Sequence, residues 1–276
     1  LEIYFQAGPK RQYQLRVHAK HMCYLGGWRE VPSMSDVKDI LDKAGLPWWG
    51  MGVGVEGVMD LVDRGVLQVF ENVFGHNGVM VSKDDIVRLL TQYKLTVNHT
   101  RDKAADRGTN VHKALEIWAE KGVRVAADVY PAHERGYVQG VMDFLVESGA
   151  SPVVSEVMVG SLEWGFAGRF DLIAEIPDGA EVFVHRTEKG RGDKTEKIEG
   201  GRWLLDLKTS KDVYASHQLQ CAGYELAYRE CYGEETDHQG VIQVSEDGRY
   251  KLVKSRATID HFQNLKCLYD SLKEIG

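Results

Sequence analysis

Apolar residues change their spacing near residue 153, and the change divides the chain. Before it they recur every three or four positions. DRGTNVHKALEIWAEKG (106–122) predicts a helix with Val111, Ala114, Leu115 and Trp118 on one stripe, Thr109 as its cap and Gly122 as its stop. A second helix is predicted over 133–148, carrying Tyr137, Val141, Phe144 and Leu145. Upstream, VPSMSDVKDILDKAGLPWW predicts a helix capped by Ser33 or Ser35, with Val37, Ile40 and Leu41 on one face and Gly45 with Pro47 ending it. Residues 50–97 are helical in pattern, interrupted by glycines at 50–57 and 75–78. Residues 10–30 read as a strand or hairpin.

After 153 the period falls to two. VVSEVMV, GFAGRFDLIAEI, EVFVH and RWLLDLKT predict successive strands. The polar, glycine-rich joint at 186–201 predicts a hairpin tip. A helix follows over about 212–231, then a hairpin turning at Asp247 and Gly248, then an amphipathic helix with Ile259, Phe262, Leu265, Leu268 and Leu272. This order argues for an α/β fold, a central mixed β-sheet flanked by helices, with an N-terminal helical lobe. The expected divisions are 1–8, 9–105 and 106–276, with 186–201 inserted in the last. The stretch 1–8, LEIYFQAG, looks like a protease-cleavage linker left by cloning and is set aside.

Composition narrows the class. The 276 residues are 43% hydrophobic and 27% charged, which excludes intrinsic disorder and a fibrous repeat. No apolar run approaches the ~18–20 residues that span a bilayer, so no membrane partner is expected. Lys and Arg number 34 against 41 Asp and Glu, a net charge of −7. That excludes a uniformly basic nucleic-acid binder but allows local basic surfaces. Three such stretches are 10–30, 94–113 (with Arg107 and Lys113) and 186–202. Each is either solvated surface or a binding face. Cysteines 23, 221, 231 and 267 form no C-x-x-C pair and read as reduced, cytoplasmic thiols.

Candidate chemistry gathers in the strands. In DLKT, alternation puts Asp206 and Lys208 on one face and Leu205 and Leu207 on the other. The pair reads as a strand-end salt bridge or a substrate-facing couple. In GRFDL, Asp171 lies between Phe170 and Leu172, read as core, and an acid there needs a partner or a metal ion. Two such acids on neighbouring strands can hold Mg²⁺, which takes hard oxygen ligands and keeps several waters. Glu156 is a third acid within a strand, either a sheet-edge carboxylate or a contributor to that site. His112 and Glu116 share a helix face at i and i+4, and an imidazole ligand adds compatibility with Mn²⁺. Gln220 and Tyr224, also i and i+4, form a polar stripe or a pair of donors to phosphate or sugar. Trp48 or Trp49 could stack on an end base or pack in a core.

Taken in order, VPSMSDVKDIL with Trp48 and Trp49, DRGTNVHKALE, the Glu156 strand, GRFDL, DLKTS and QLQCAGYELA resemble the RecB-like branch of the PD-(D/E)XK nucleases, in particular stand-alone phage-type exonucleases. The resemblance spans roughly residues 30–228 and implies a restriction-endonuclease-like core. It implies metal ligands at His112, Asp171, Asp206 and the Leu207 carbonyl, with Lys208 as the catalytic lysine. Glu156 would reach a metal or position water. Gln220, Tyr224 and Ser33 would contact DNA. The charge runs themselves add the expectation that 10–30 and 94–113, with Arg107 and Lys113, line a channel beside that metal site. The cofactor would be one or two Mg²⁺ or Mn²⁺ ions. Some relatives carry an iron–sulfur cluster, but the cysteine spacing here departs from theirs and none is expected.

The implied activity is metal-dependent exonucleolytic hydrolysis at DNA ends, in recombination, replication or repair of phage or bacterial DNA, in the host-cell cytoplasm if phage-encoded. The implied partners are DNA and a helicase or single-strand annealing protein. Two alternatives stay open: a structure-selective endonuclease on the same core, and a catalytically silent module that binds DNA or a partner.

Overall fold

The structure, a computed structural model, describes residues 2–6, 12–16, 29–41, 46–67, 69–71, 77–79, 82–185 and 193–275. They divide into two compact units, residues 1–41 with 108–276 and residues 42–107. The sequence reading grouped 9–105 instead; the described part of the first 41 residues folds with the sheet.

The larger unit begins with β1 (Glu2–Gln6), β2 (Gln12–Arg16) and β3 (Arg29–Val31), an antiparallel three-stranded sheet. The stretch set aside as a linker thus contributes a strand. Helix α1 (Met34–Lys38) follows and is shorter than predicted. Ser33 caps it in a capping box with Asp36.

The second unit holds α2 (Leu46–Asp63), the hairpin β4 (Val69–Glu71) and β5 (Asn77–Val79), α3 (Lys83–Gln92) and the start of α4 (Val97–Lys121). The glycines at 50–57 do not interrupt α2. A Cβ at Gly57 would lie 2.8 Å from Leu90 and 3.1 Å from the Leu95 carbonyl oxygen. Close packing therefore demands glycine inside the helix, against its propensity. Trp48 and Trp49 are 72% and 40% exposed, so neither belongs to a core.

Helix α4 starts nine residues before the predicted 106, and Thr109 sits inside it. Thr96 begins the helix instead, its Oγ1 accepting the His99 amide at 3.4 Å. The first turns of α4 are polar and gave no apolar period to read. Beyond α4 come α5 (Arg135–Glu147), β6 (Ser151–Ser161), β7 (Phe166–Ile176), β8 (Glu181–His185), β9 (Lys194–Lys197) and β10 (Gly201–Lys208). Then follow α6 (Ala215–Tyr232), β11 (His238–Val244), β12 (Tyr250–Lys254) and α7 (Ile259–Ile275). Part of the expected 186–201 tip is the ordered strand β9, paired with β8; residues 186–192 lie outside the described residues.

The central sheet runs β12-β11-β10-β7-β6. Only β10 and β11 pair in parallel, and α6 makes the crossover that parallel pairing requires. One face packs Val111, Ala114 and Leu115 of α4 and most of α5 against Leu172, Ala174, Trp203, Leu205 and Leu207. The other packs Met34 and Val37 of α1, Cys221 to Tyr228 of α6, and Phe262 and Leu265 of α7 against Phe170, Ile173, Leu204 and Val241. The fold is thus α/β, a mixed sheet between two helical layers. Leu268 and Leu272, read as part of the buried stripe of α7, are exposed. Cys221, Cys231 and Cys267 are free thiols, and no described helix is long and apolar enough to cross a membrane.

The first turn of α5 presses on the hairpin between β11 and β12. A Cβ at Gly136 would lie 1.7 Å from the Glu246 carbonyl oxygen, and backbone cannot yield cheaply. Gly54, inside α2, has nothing within 4 Å of its Cβ position. Gly136→Ala should destabilise the protein by about 1–3 kcal/mol. Gly54→Ala should stabilise it by up to about 1 kcal/mol. Thermal melts followed by circular dichroism test both, and equal effects would refute this packing.

Candidate metal centre

The registered pairing of β7 with β10 ends at Leu172 opposite Leu205. Past that point the two strands are joined by a side chain. Asp171 Oδ2 accepts the Leu207 amide proton at 2.6 Å, so a carboxylate continues the ladder. The other oxygen, Oδ1, lies 3.0 Å from His112 Nδ1 on α4. The sequence reading put Phe170 and Leu172 on one core face. They instead enter opposite cores, because β7 changes facing around Asp171.

Glu156 stands across from Asp171 on β6, between the pairs Ser155–Leu172 and Val157–Phe170. Its φ is +53°, a left-handed conformation that costs a non-glycine residue about 1–2 kcal/mol. The strand also shifts register between Pro152 and Val154. Such irregularities re-aim side chains. Glu156 Oε1 comes 3.8 Å from His112 Nδ1, while Oε2 accepts from Arg169 Nε at 2.8 Å. His112, Glu156 and Asp171 each offer a donor atom within 4.8 Å of the others.

Asp206 and Lys208 adjoin this trio. Lys208 Nζ is 2.5 Å from Asp206 Oδ2 and 3.4 Å from the Leu207 carbonyl oxygen. Asp206 is almost fully buried and lies outside the three-donor cluster. Burial raises its pKa, and the neighbouring Asp171 charge adds to this against the pull of Lys208. Burial works to lower the pKa of Lys208, but Asp206 and Asp171 outweigh it and hold the ammonium charged.

The remaining predicted residues lie outside the three-donor cluster, although Tyr224 stands within reach of the charges of Asp206 and Asp171. Gln220 and Tyr224 are buried and bonded to each other, Gln220 Nε2 donating to Tyr224 Oη at 2.7 Å. Lys38 Nζ donates to Gln220 Oε1 at 2.9 Å and ties α1 to α6. The Ser33 hydroxyl is engaged with Asp36, donating to Oδ2 at 2.7 Å. Glu116 pairs with exposed Lys113 at 2.7 Å and is not in the cluster. Arg107 lies five residues before His112 on α4 and is half-buried. The basic stretch 10–30 falls largely outside the described residues.

Arg169 and Lys38 were missed. Arg169 had a readable signal, standing two residues before Asp171 in a strand. Lys38 had none.

Three donors, two of them carboxylate oxygens and one an imidazole nitrogen, suit a hard or borderline divalent ion such as Mg²⁺ or Mn²⁺. The two acids each have a cationic partner, Arg169 for Glu156 and a protonated His112 for Asp171. Burial alone would lower the His112 pKa, but Asp171 and Glu156 raise it from about 6.5 to about 10. Asp171, despite burial, is lowered by His112.

No family model matches this chain, and no curated protein does. Among solved structures, "Crystal structure of SSO0001" is similar at 14% sequence identity, covering 58% of this chain and 71% of that one, with a TM-score of 0.28. So loose a likeness assigns neither fold nor activity.

A group whose pKa rises on folding stabilises the fold fully below its unfolded pKa, and that stability is lost as pH climbs through the folded value. With EDTA present, the melting temperature should fall between about pH 7 and pH 10 as His112 loses its proton. His112→Gln should flatten that fall. Parallel wild-type and variant profiles across the range would contradict the assignment.

Proposed function

We propose that this chain is a Mg²⁺- or Mn²⁺-dependent deoxyribonuclease that hydrolyses phosphodiester bonds at DNA ends, of the RecB-like PD-(D/E)XK kind its motifs resemble. One observation carries the reading. His112 of α4 and Glu156 of β6 meet at Asp171 of β7, beside the point where β7 parts from β10, and β10 supplies a buried acid and a charged lysine there.

A divalent ion bound there would polarise a phosphoryl oxygen and lower the pKa of a water molecule. The trio would hold that ion, with Asp206 and the Leu207 carbonyl at its margin. Lys208, kept protonated by Asp206 and Asp171, serves as a fixed positive charge. It can orient the attacking water and offset charge on the phosphate, and it is ill-suited to take a proton. Gln220 and Tyr224, bonded to each other and through Gln220 to Lys38, stand on the helix packed against β10, with Tyr224 in the field of Asp206 and Asp171.

The test is cleavage of end-labelled linear duplex and single-stranded DNA in Mg²⁺ or Mn²⁺, with closed circular DNA beside it. Linear DNA should be degraded from its ends, circles should survive, and EDTA should abolish the activity. Asp171→Asn and Lys208→Ala should each lower the rate at least about 10²-fold. Cleavage at the wild-type rate by both variants would refute the proposal, and cutting of closed circles would favour an endonuclease.

A further inference from the structure

We propose that Arg169 determines which divalent ion the centre accepts, by confining Glu156 to one coordinating oxygen. This rests on the cation-site reading above. Glu156 presents Oε1 toward His112, while Oε2 is engaged by the Arg169 guanidinium at 2.8 Å. Asp171 is arranged alike, with Oδ1 toward His112 and Oδ2 engaged by the Leu207 amide. Each carboxylate therefore offers a single oxygen, and the centre is built from three single donors.

That arrangement discriminates by ion size. Ca²⁺ takes six to eight oxygens at about 2.3–2.6 Å and gains from carboxylates that bind through both oxygens. Mg²⁺ is octahedral with ligands at about 2.0–2.1 Å, which puts neighbouring donors about 3 Å apart. Three single donors leave the remaining positions to water, as Mg²⁺ prefers, and fall short of the ligand count that Ca²⁺ takes. Mn²⁺ shares the preference for carboxylate and water and accepts imidazole. The guanidinium also subtracts from the negative charge on which Ca²⁺ affinity depends. Arg169 is a positioning residue here: it acts through Glu156. The left-handed backbone at Glu156 aims the carboxylate, and Arg169 selects which oxygen remains.

Isothermal titration of the full chain with MnCl₂ or CaCl₂ alone, without DNA, tests this. Wild type should prefer Mn²⁺. Arg169→Met should narrow the Mn²⁺ to Ca²⁺ affinity ratio by roughly tenfold or more, through tighter Ca²⁺ binding. Arg169→Lys, which keeps a cationic donor, should retain the wild-type order. The side chain is 54% exposed, so the variants should fold, and Arg169→Ala serves the same comparison if Arg169→Met does not. An unchanged ratio in a protein that binds Mn²⁺, or an equal loss of both ions, overturns the role of Arg169 alone. Wild type binding neither ion overturns the metal centre as well.

Discussion

The carboxylate of Asp171 is the joint on which the site depends. One oxygen replaces a lost rung between β7 and β10 by accepting the Leu207 amide, and the other faces His112. The strands can separate there without stranding a backbone donor, whose burial unpaired would cost about 1–3 kcal/mol. The opening between the strands and the chemistry beside it thus have one cause. It also explains why Phe170 and Leu172, two residues apart, enter opposite cores.

Around that joint the protein gathers charges that burial alone would not tolerate. Asp206 is buried beside Lys208, and each makes the other bearable. Behind them Lys38, Gln220 and Tyr224 form a hydrogen-bonded chain linking α1 to α6. The Lys208 ammonium, against Asp206 Oδ2 and the Leu207 carbonyl, lies in the field of Asp171.

The alternation of GRFDLIAEI and RWLLDLKT made the central strands legible, and the position of acids within them pointed to the site. His112 was readable as a polar residue beside an apolar helical stripe. Interactions that no spacing encodes stayed hidden. The start of α4 is set by the Thr96 cap and carries no apolar period. The glycines of α2 read as breaks, yet Gly57 is required by its neighbours Leu90 and Leu95. Gln220 and Tyr224 had a readable i and i+4 spacing, but nothing in it announced Lys38, their bonding partner from a distant helix. The left-handed backbone of Glu156 could not be read, because nothing in VVSEVMV announces a departure from extended geometry.

The order of the sheet gives the three donors unequal footing. Asp171 stands on β7, flanked by strands on both sides, and His112 on a helix whose neighbours Val111 and Leu115 are locked in the core. Glu156 stands on β6, the outermost strand, held by a ladder on one side. Glu156 thus owes its placement to its own left-handed backbone and to the Arg169 ion pair, whereas His112 leans on the core around Val111 and Leu115 and Asp171 on the Leu207 amide.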